Sequence, residues 1–183
     1  MSEKEWALIC SFIAMLLIAS SYFFKSKGMF LLMQGLGIVG LMASYLLNGQ
    51  YFAMIGLGVG LVRCIVFFLY EKKGRETPLL WCILFSVLSV GAYLVVNLWI
   101  LQTANPEDII YLITLILYVF IFRVRSIKFV RYASLAPTTL SIVYNVLARS
   151  PIFAVISYSF ELVAGLVSIL KYHVFGKEQE SKE

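Results

Sequence analysis

Charge is scarce in this chain. Only 14% of its 183 residues are Asp, Glu, Lys or Arg, against roughly a quarter in an ordinary soluble domain. Apolar residues make up 61%. A water-soluble fold of this length could not bury so much apolar surface, and a lipid bilayer as solvent removes the difficulty. Cysteine occurs three times, as Cys10, Cys64 and Cys82. All three lie in apolar runs and none has C-x-x-C spacing, which leaves no pattern for a disulfide framework or a metal site. They read as small apolar side chains. Histidine occurs once, as His173 at the end of the last apolar run. No Ser-His-Asp, His-Glu-x-x-His or paired-aspartate constellation exists, so no enzyme activity, catalytic residue, cofactor or metal is expected. Gly56, Gly58 and Gly60 lack the strand-loop-helix setting of a dinucleotide fingerprint and read instead as a place where helices approach closely. The net charge of +5 would suit nucleic acid if the basic residues formed one patch. They sit at the ends of apolar runs, which makes the lipid bilayer the expected partner and excludes nucleic acid.

What is present is a series of seven apolar runs, at approximately 5–24, 29–48, 51–70, 78–98, 107–123, 127–147 and 151–172. Most approach the ~20 residues that an α-helix needs to cross a hydrocarbon core. Barrel strands would be half as long and would alternate polar with apolar residues. The first run could pass for a signal peptide, but its flank is more acidic than basic and further runs follow, so it reads as a retained helix. With seven crossings, twelve basic residues fall on one side: Lys25, Lys27, Lys72, Lys73, Arg75, Arg123, Arg125, Lys128, Arg131, Lys171, Lys177 and Lys182. Lys4 and Arg149 fall on the other, and Arg63 lies within a run. The excess of lysine and arginine on cytoplasmic loops places the C-terminus inside and the N-terminus outside.

Runs one to three resemble runs five to seven. Tyr22-Phe-Phe-Lys25-Ser-Lys27 aligns with Phe120-Ile-Phe-Arg123-Val-Arg125, and Tyr51-Phe-Ala-Met-Ile55 with Ile152-Phe-Ala-Val-Ile156. Gly60-Leu-Val62 then falls on Glu161-Leu-Val163. Each triplet has a basic first turn, a nearly uncharged second turn and a basic exit. The expected fold is therefore an all-α membrane protein with seven transmembrane helices in a 3+1+3 parallel repeat. Its parts are a first three-helix bundle (1–74), a linker helix (75–104), a second three-helix bundle (105–176) and a disordered cytoplasmic tail (177–183). Repeats of this kind build many transporters, with the solute site near midplane between the halves.

This plan resembles the SWEET, PQ-loop and nicotinamide riboside transporter group. More closely, the chain is similar to the YgjV family of bacterial inner-membrane proteins. That likeness rests on the first basic turn, on Gly60-Leu-Val-Arg63 with its basic exit, and on Ser159-Phe-Glu-Leu-Val-Ala-Gly165-Leu166. It implies a fold and a bacterial inner-membrane location, but no substrate. The chain has no Pro-Gln pair, and none of its four prolines lies in the first or fifth run. The hinge and cavity residues of the sugar transporters therefore do not carry over.

Two ionisable residues lie well inside apolar runs, Arg63 and Glu161. A lipid-facing charge at that depth costs roughly 2.5–3.5 kcal/mol on the insertion scale, so both should face protein or water. Gly56, Gly60, Arg63 and Phe67 share one helix face, and Ser157, Glu161, Ala164, Gly165 and Ser168 share another. Equivalent faces of parallel repeats oppose each other, which predicts an Arg63–Glu161 ion pair across a central cavity. Three readings stay open: a solute or proton site that also gates the halves, a static salt bridge, or Arg63 reaching toward the headgroups. Ser134, Thr138, Ser141 and Asn145 form a polar stripe beside Pro137, which removes one helical hydrogen bond and predicts a kink. Tyr144 adds a hydroxyl next to that stripe. The stripe suits either a hydrated pathway wall or helix packing. The candidate solute-binding or gating residues are thus Arg63, Thr138, Ser141, Tyr144, Asn145, Ser157 and Glu161. The expected function is carriage of a small polar or zwitterionic solute. The alternatives are a non-transporting accessory or assembly subunit and a seven-span sensor, and homo-oligomerisation stays open.

Overall fold

The computed structural model describes residues 3–100, 105–150 and 152–174. Every regular element among them is helical. The helices are α1 (Glu3–Ser21), α2 (Lys27–Leu47), α3 (Tyr51–Lys72), α4 (Leu79–Leu94), α5 (Pro106–Arg123), α6 (Ile127–Ala133), α7 (Leu135–Leu147) and α8 (Ile152–Ile169). Helices α4 and α8 continue as π-helical turns over Val95–Ile100 and Leu170–Val174. The tail 177–183, with Lys177 and Lys182, lies outside the described residues, as does Pro151.

Helix boundaries follow local chemistry. The Ser126 hydroxyl accepts from the Phe129 amide and caps α6. Pro106 opens α5 where its missing N–H costs nothing, and Glu107 and Asp108 sit in the same positive first turn. Two helices end in the same way. After α2, Gly49 is left-handed (φ +72°) and the Gln50 amide returns to the Tyr45 carbonyl at 3.0 Å. After α7, Arg149 is left-handed (φ 49°) and the Ser150 amide returns to the Asn145 carbonyl at 2.9 Å. The sixth run is interrupted at Ser134, between α6 and α7. Pro137 has no N–H to give the Ala133 carbonyl, so the ladder is interrupted at that turn.

The helices form a closed ring. In order round it stand α1, α2, α3, α5, the α6/α7 pair and α8, which returns to α1. Helix α4 packs outside, against α3 and α5, and buries only Cys82, Phe85 and Ser89. The tightest approach lies between α1 and α2. A Cβ at Gly40 would meet the Cys10 carbonyl oxygen at 2.9 Å, so glycine there is what lets the two backbones touch. Of the glycines read as close-approach positions, Gly56 faces Leu115 and Tyr111 of α5.

The polarity of this bundle is inverted relative to a soluble protein. Phe12, Leu16, Val62, Ile65, Leu80, Val87 and Val163 are exposed. Gln34, Arg63, Asn97, Asp108, Thr138, Ser141, Asn145 and Glu161 are buried. An apolar exterior, with the polar and charged side chains drawn inside among an apolar core, is what a bilayer requires. Four helical stretches are long and apolar enough to cross one: Lys27–Leu47, Tyr51–Lys72, Leu79–Asn97 and Ala154–Tyr172. Glu5–Ser21 is a shorter apolar helix. The fifth and sixth runs fall short of that standard for physical reasons. Helix α5 has Glu107, Asp108 and Arg123 within its 18 residues, and the sixth run is split at Ser134.

The ends of the bundle differ in charge. At one end Arg123 bonds the Thr77 carbonyl, Arg125 the Gly74 carbonyl and Arg131 the Phe24 carbonyl. Lys27 pairs there with Glu71 at 3.3 Å, and Arg131 lies over the Tyr172 ring. The basic turns of the sequence are thereby knitted into one surface. The opposite end is closed by uncharged groups: Gln50 donates to Ser150 at 3.0 Å, and Tyr45 donates to Asn145 at 2.8 Å.

Candidate functional site

A cavity of about 40 Å³ lies inside the ring and is lined from every helix pair that forms it. Ile18 comes from α1, Gln34 and Ile38 from α2, Gly60 and Arg63 from α3, and Thr114 and Tyr118 from α5. Ser141 of α7 and Tyr158 and Glu161 of α8 complete the wall. That volume has room for roughly three water molecules. That is space for a small polar group.

Helical spacing delivers these side chains. Gly56, Gly60, Arg63 and Phe67 are all buried on the inner face of α3. Ser157, Glu161, Ala164 and Ser168 are likewise buried, on the inner face of α8. Both faces are the ones anticipated from the sequence. The expected ion pair between them is not formed. No carboxylate among the described residues lies within 4 Å of Arg63, and the ion pair that does occur there is Lys27–Glu71. Tyr118 stands between the two charges instead. Its ring lies under the Arg63 guanidinium, 5.7 Å from carbon to centroid, while its hydroxyl is 3.4 Å from Glu161 Oε1.

The two charges are accommodated unequally. Glu161 Oε1 accepts from Tyr22 at 2.8 Å as well as from Tyr118. Thr138 and Gln34 are further donors beside the same carboxylate. Tyr118 also shares a 2.9 Å hydrogen bond with Thr138, tying α5 to α7. Arg63 is 4% exposed. Its Nη1 donates a long hydrogen bond to the Leu115 carbonyl at 3.4 Å, the Cys64 thiol lies beside the guanidinium, and Nε has no partner. The Phe122 ring supplies a second aromatic face at 5.1 Å. A desolvated cation–π contact contributes about 2 kcal/mol, whereas burying an ion costs several. The rings alone leave Arg63 under-compensated.

The remaining candidates divide. Thr138 joins the Glu161 group, and Ser141 reaches the cavity wall. Asn145 braces α7 to Tyr45 of α2 and returns its amide to the Ser141 carbonyl. Tyr144 stacks on Tyr111 with ring centroids 4.6 Å apart. These two help close the end opposite the basic surface rather than line the cavity. Ser157 turns to the α1 backbone, 3.5 Å from the Ser11 carbonyl oxygen, and belongs to a helix contact.

Sequence reasoning missed Tyr22, Tyr118 and Tyr158 as members of the site. One signal pointed toward them. A carboxylate at membrane depth needs hydroxyl or amide donors if no cation meets it, and the chain is rich in tyrosine. It also missed Asp108, which is buried near Tyr144 and Asn97 at the end opposite the basic surface.

No curated protein and no solved structure matches the chain. A family model, Imp-YgjV, described as a bacterial inner membrane protein, matches residues 5–174. The chain belongs to that family and is a multi-pass protein of the bacterial inner membrane.

Proposed function

We propose that the protein is a carrier of a small polar or zwitterionic solute, with seven transmembrane helices in a 3+1+3 parallel repeat and a solute site in the central cavity. The observation that carries this reading is the cavity itself, walled by six helical spans and holding a buried cation and a buried carboxylate. Intramembrane charges facing an internal cavity mark solute or ion pathways far more often than lipid contacts.

Two features support the repeat. The ring has matching seams: α1–α2–α3 corresponds to α5–α6/α7–α8, and the closing contact α3–α5 corresponds to α8–α1. The turns after α2 and α7 share one cap, and the residues at equivalent places in those turns touch each other, Tyr45 with Asn145 and Gln50 with Ser150. Contact between equivalent residues is what a two-fold relation along the membrane normal produces. The basic end then faces the cytoplasm under the positive-inside rule. Alternating access is a rocking of one triplet against the other, opening the basic end or the opposite end in turn.

The test begins with a thermal-shift screen of the purified protein against a metabolite library. Uptake of each hit is then measured in proteoliposomes. Arg63→Gln and Glu161→Gln are expected to lose uptake while remaining in the membrane. Unchanged uptake in both variants would refute the site. Stoichiometric co-purification of a protein partner, with no solute-dependent stabilisation, would favour an accessory or assembly subunit instead.

A further inference from the structure

The unequal accommodation of the two cavity charges says which kind of group the cavity is built to receive. Glu161 is surrounded by neutral donors, with Tyr22 and Tyr118 on one oxygen and Gln34 and Thr138 close by. Arg63 is equally buried, yet it has a long hydrogen bond, an unpartnered Nε and no carboxylate within 4 Å among the described residues. A guanidinium carries five N–H donors in a planar fork whose natural complement is a carboxylate. Its central carbon lies over the Tyr118 and Phe122 rings, which accept no N–H in the way a carboxylate does. The adjoining wall is Gly60, where the absent side chain keeps space beside Nη2.

We propose that the central cavity binds a carboxylate-bearing solute, with Arg63 as the anchor for the carboxylate. The inference rests on the carrier reading and narrows it: the solute presents an anionic, planar, two-oxygen group to Arg63, and any cationic group it carries is secondary. The cavity volume agrees, since about 40 Å³ takes roughly three water-sized groups, about the size of a carboxylate. The rest of the solute enters only when the ring opens. Tyr118 couples the two events, because its ring supports Arg63 while its hydroxyl is shared between Thr138 of α7 and Glu161 of α8. An anion that draws the guanidinium off the ring frees Tyr118, and with it the α5–α7 and α5–α8 links.

The experiment uses the purified full-length chain in detergent and acetate as the probe, followed by saturation-transfer NMR at constant ionic strength. Formate should displace acetate, whereas acetamide, tetramethylammonium and chloride should not. Arg63→Gln should weaken acetate binding at least tenfold, and Arg63→Lys should recover part of it. Equal displacement by acetamide shows a neutral polar site and overturns the proposal. Equal displacement by chloride shows an unselective anion site and overturns the carboxylate assignment. The competition series runs on the unmodified protein and decides the carboxylate selectivity even if both Arg63 variants fail to fold; acetate transfer lost equally in Arg125→Gln, at the basic surface, places the anion there and overturns the Arg63 assignment. The carrier reading fails separately: if acetate binds through Arg63 but no carboxylate is taken up into proteoliposomes, the anchor stands and transport does not.

Discussion

Replacing Tyr22 by phenylalanine removes one oxygen atom from the centre of the bundle and isolates the energetics of Glu161. The ring itself should stay in place. It packs edge-on against Phe30 at 5.3 Å between centroids and lies against Gly165, and neither contact needs the hydroxyl. What is lost is the 2.8 Å hydrogen bond to Glu161 Oε1. The Tyr118 contact that remains on that oxygen is 3.4 Å long, and its single proton is shared with Thr138. A hydrogen bond to a charged group contributes about 1.5–3 kcal/mol in soluble proteins. Inside membranes, measured side-chain hydrogen bonds average about 0.6 kcal/mol and reach about 1.7, because the unfolded state also finds partners. This bond is fully buried and takes the larger share of Oε1, so Tyr22→Phe should cost roughly 1–1.7 kcal/mol. Glu161→Gln keeps an acceptor oxygen in reach of Tyr22 but removes the charge. A double-mutant cycle should then return a coupling of about 1 kcal/mol. The assay is equilibrium unfolding in mixed micelles of dodecyl sulfate and a mild detergent, read by circular dichroism. Tyr22→Phe within about 0.3 kcal/mol of the parent, or strict additivity with Glu161→Gln, would refute the account of Glu161 as a carboxylate held by tyrosines.

Three further outcomes follow from the same structure. Gly40→Val should destabilise by about 1–3 kcal/mol, because its Cβ meets the Cys10 carbonyl oxygen at 2.9 Å. Gly91→Ala, with nothing within 4 Å of its Cβ, should be neutral or gain up to about 1 kcal/mol; the same unfolding assay compares them. Glu71→Ala strands the buried Lys27 ammonium, whose remaining contact is the Arg123 carbonyl at 3.5 Å. It should cost roughly 1–3 kcal/mol once the partial exposure of Glu71 is discounted. Adding Lys27→Met should restore more than half of that loss by the same measure. In a background without Cys10, Cys64 and Cys82, Lys73→Cys should react with a membrane-impermeant maleimide only in inverted vesicles. Asn48→Cys should react only from the periplasmic side, and the reverse pattern would overturn the orientation.

The inward faces of α3 and α8 were legible in the sequence because helical geometry makes them local. Gly56, Gly60, Arg63 and Phe67 share a face whatever surrounds them, and so do Ser157, Glu161, Ala164 and Ser168. The break near Pro137 was legible for the same reason, since a missing N–H acts on its own helix. Membrane residence followed from composition alone, because no tertiary arrangement in water could hide so many apolar residues. The partners of the two buried charges were not legible. Whether Arg63 meets Glu161 depends on the rotation of α3 and α8 about their axes and on what α5 inserts between them, to within a few ångströms. Periodicity fixes which face turns inward, but not which atom on the opposite wall it reaches. The tertiary structure alone put Tyr118 between the charges, gave Glu161 its tyrosine donors and left the buried Arg63 Nε without a partner. The seven apolar runs were a property of the chain; the unequal satisfaction of its two buried charges is a property of the packed ring.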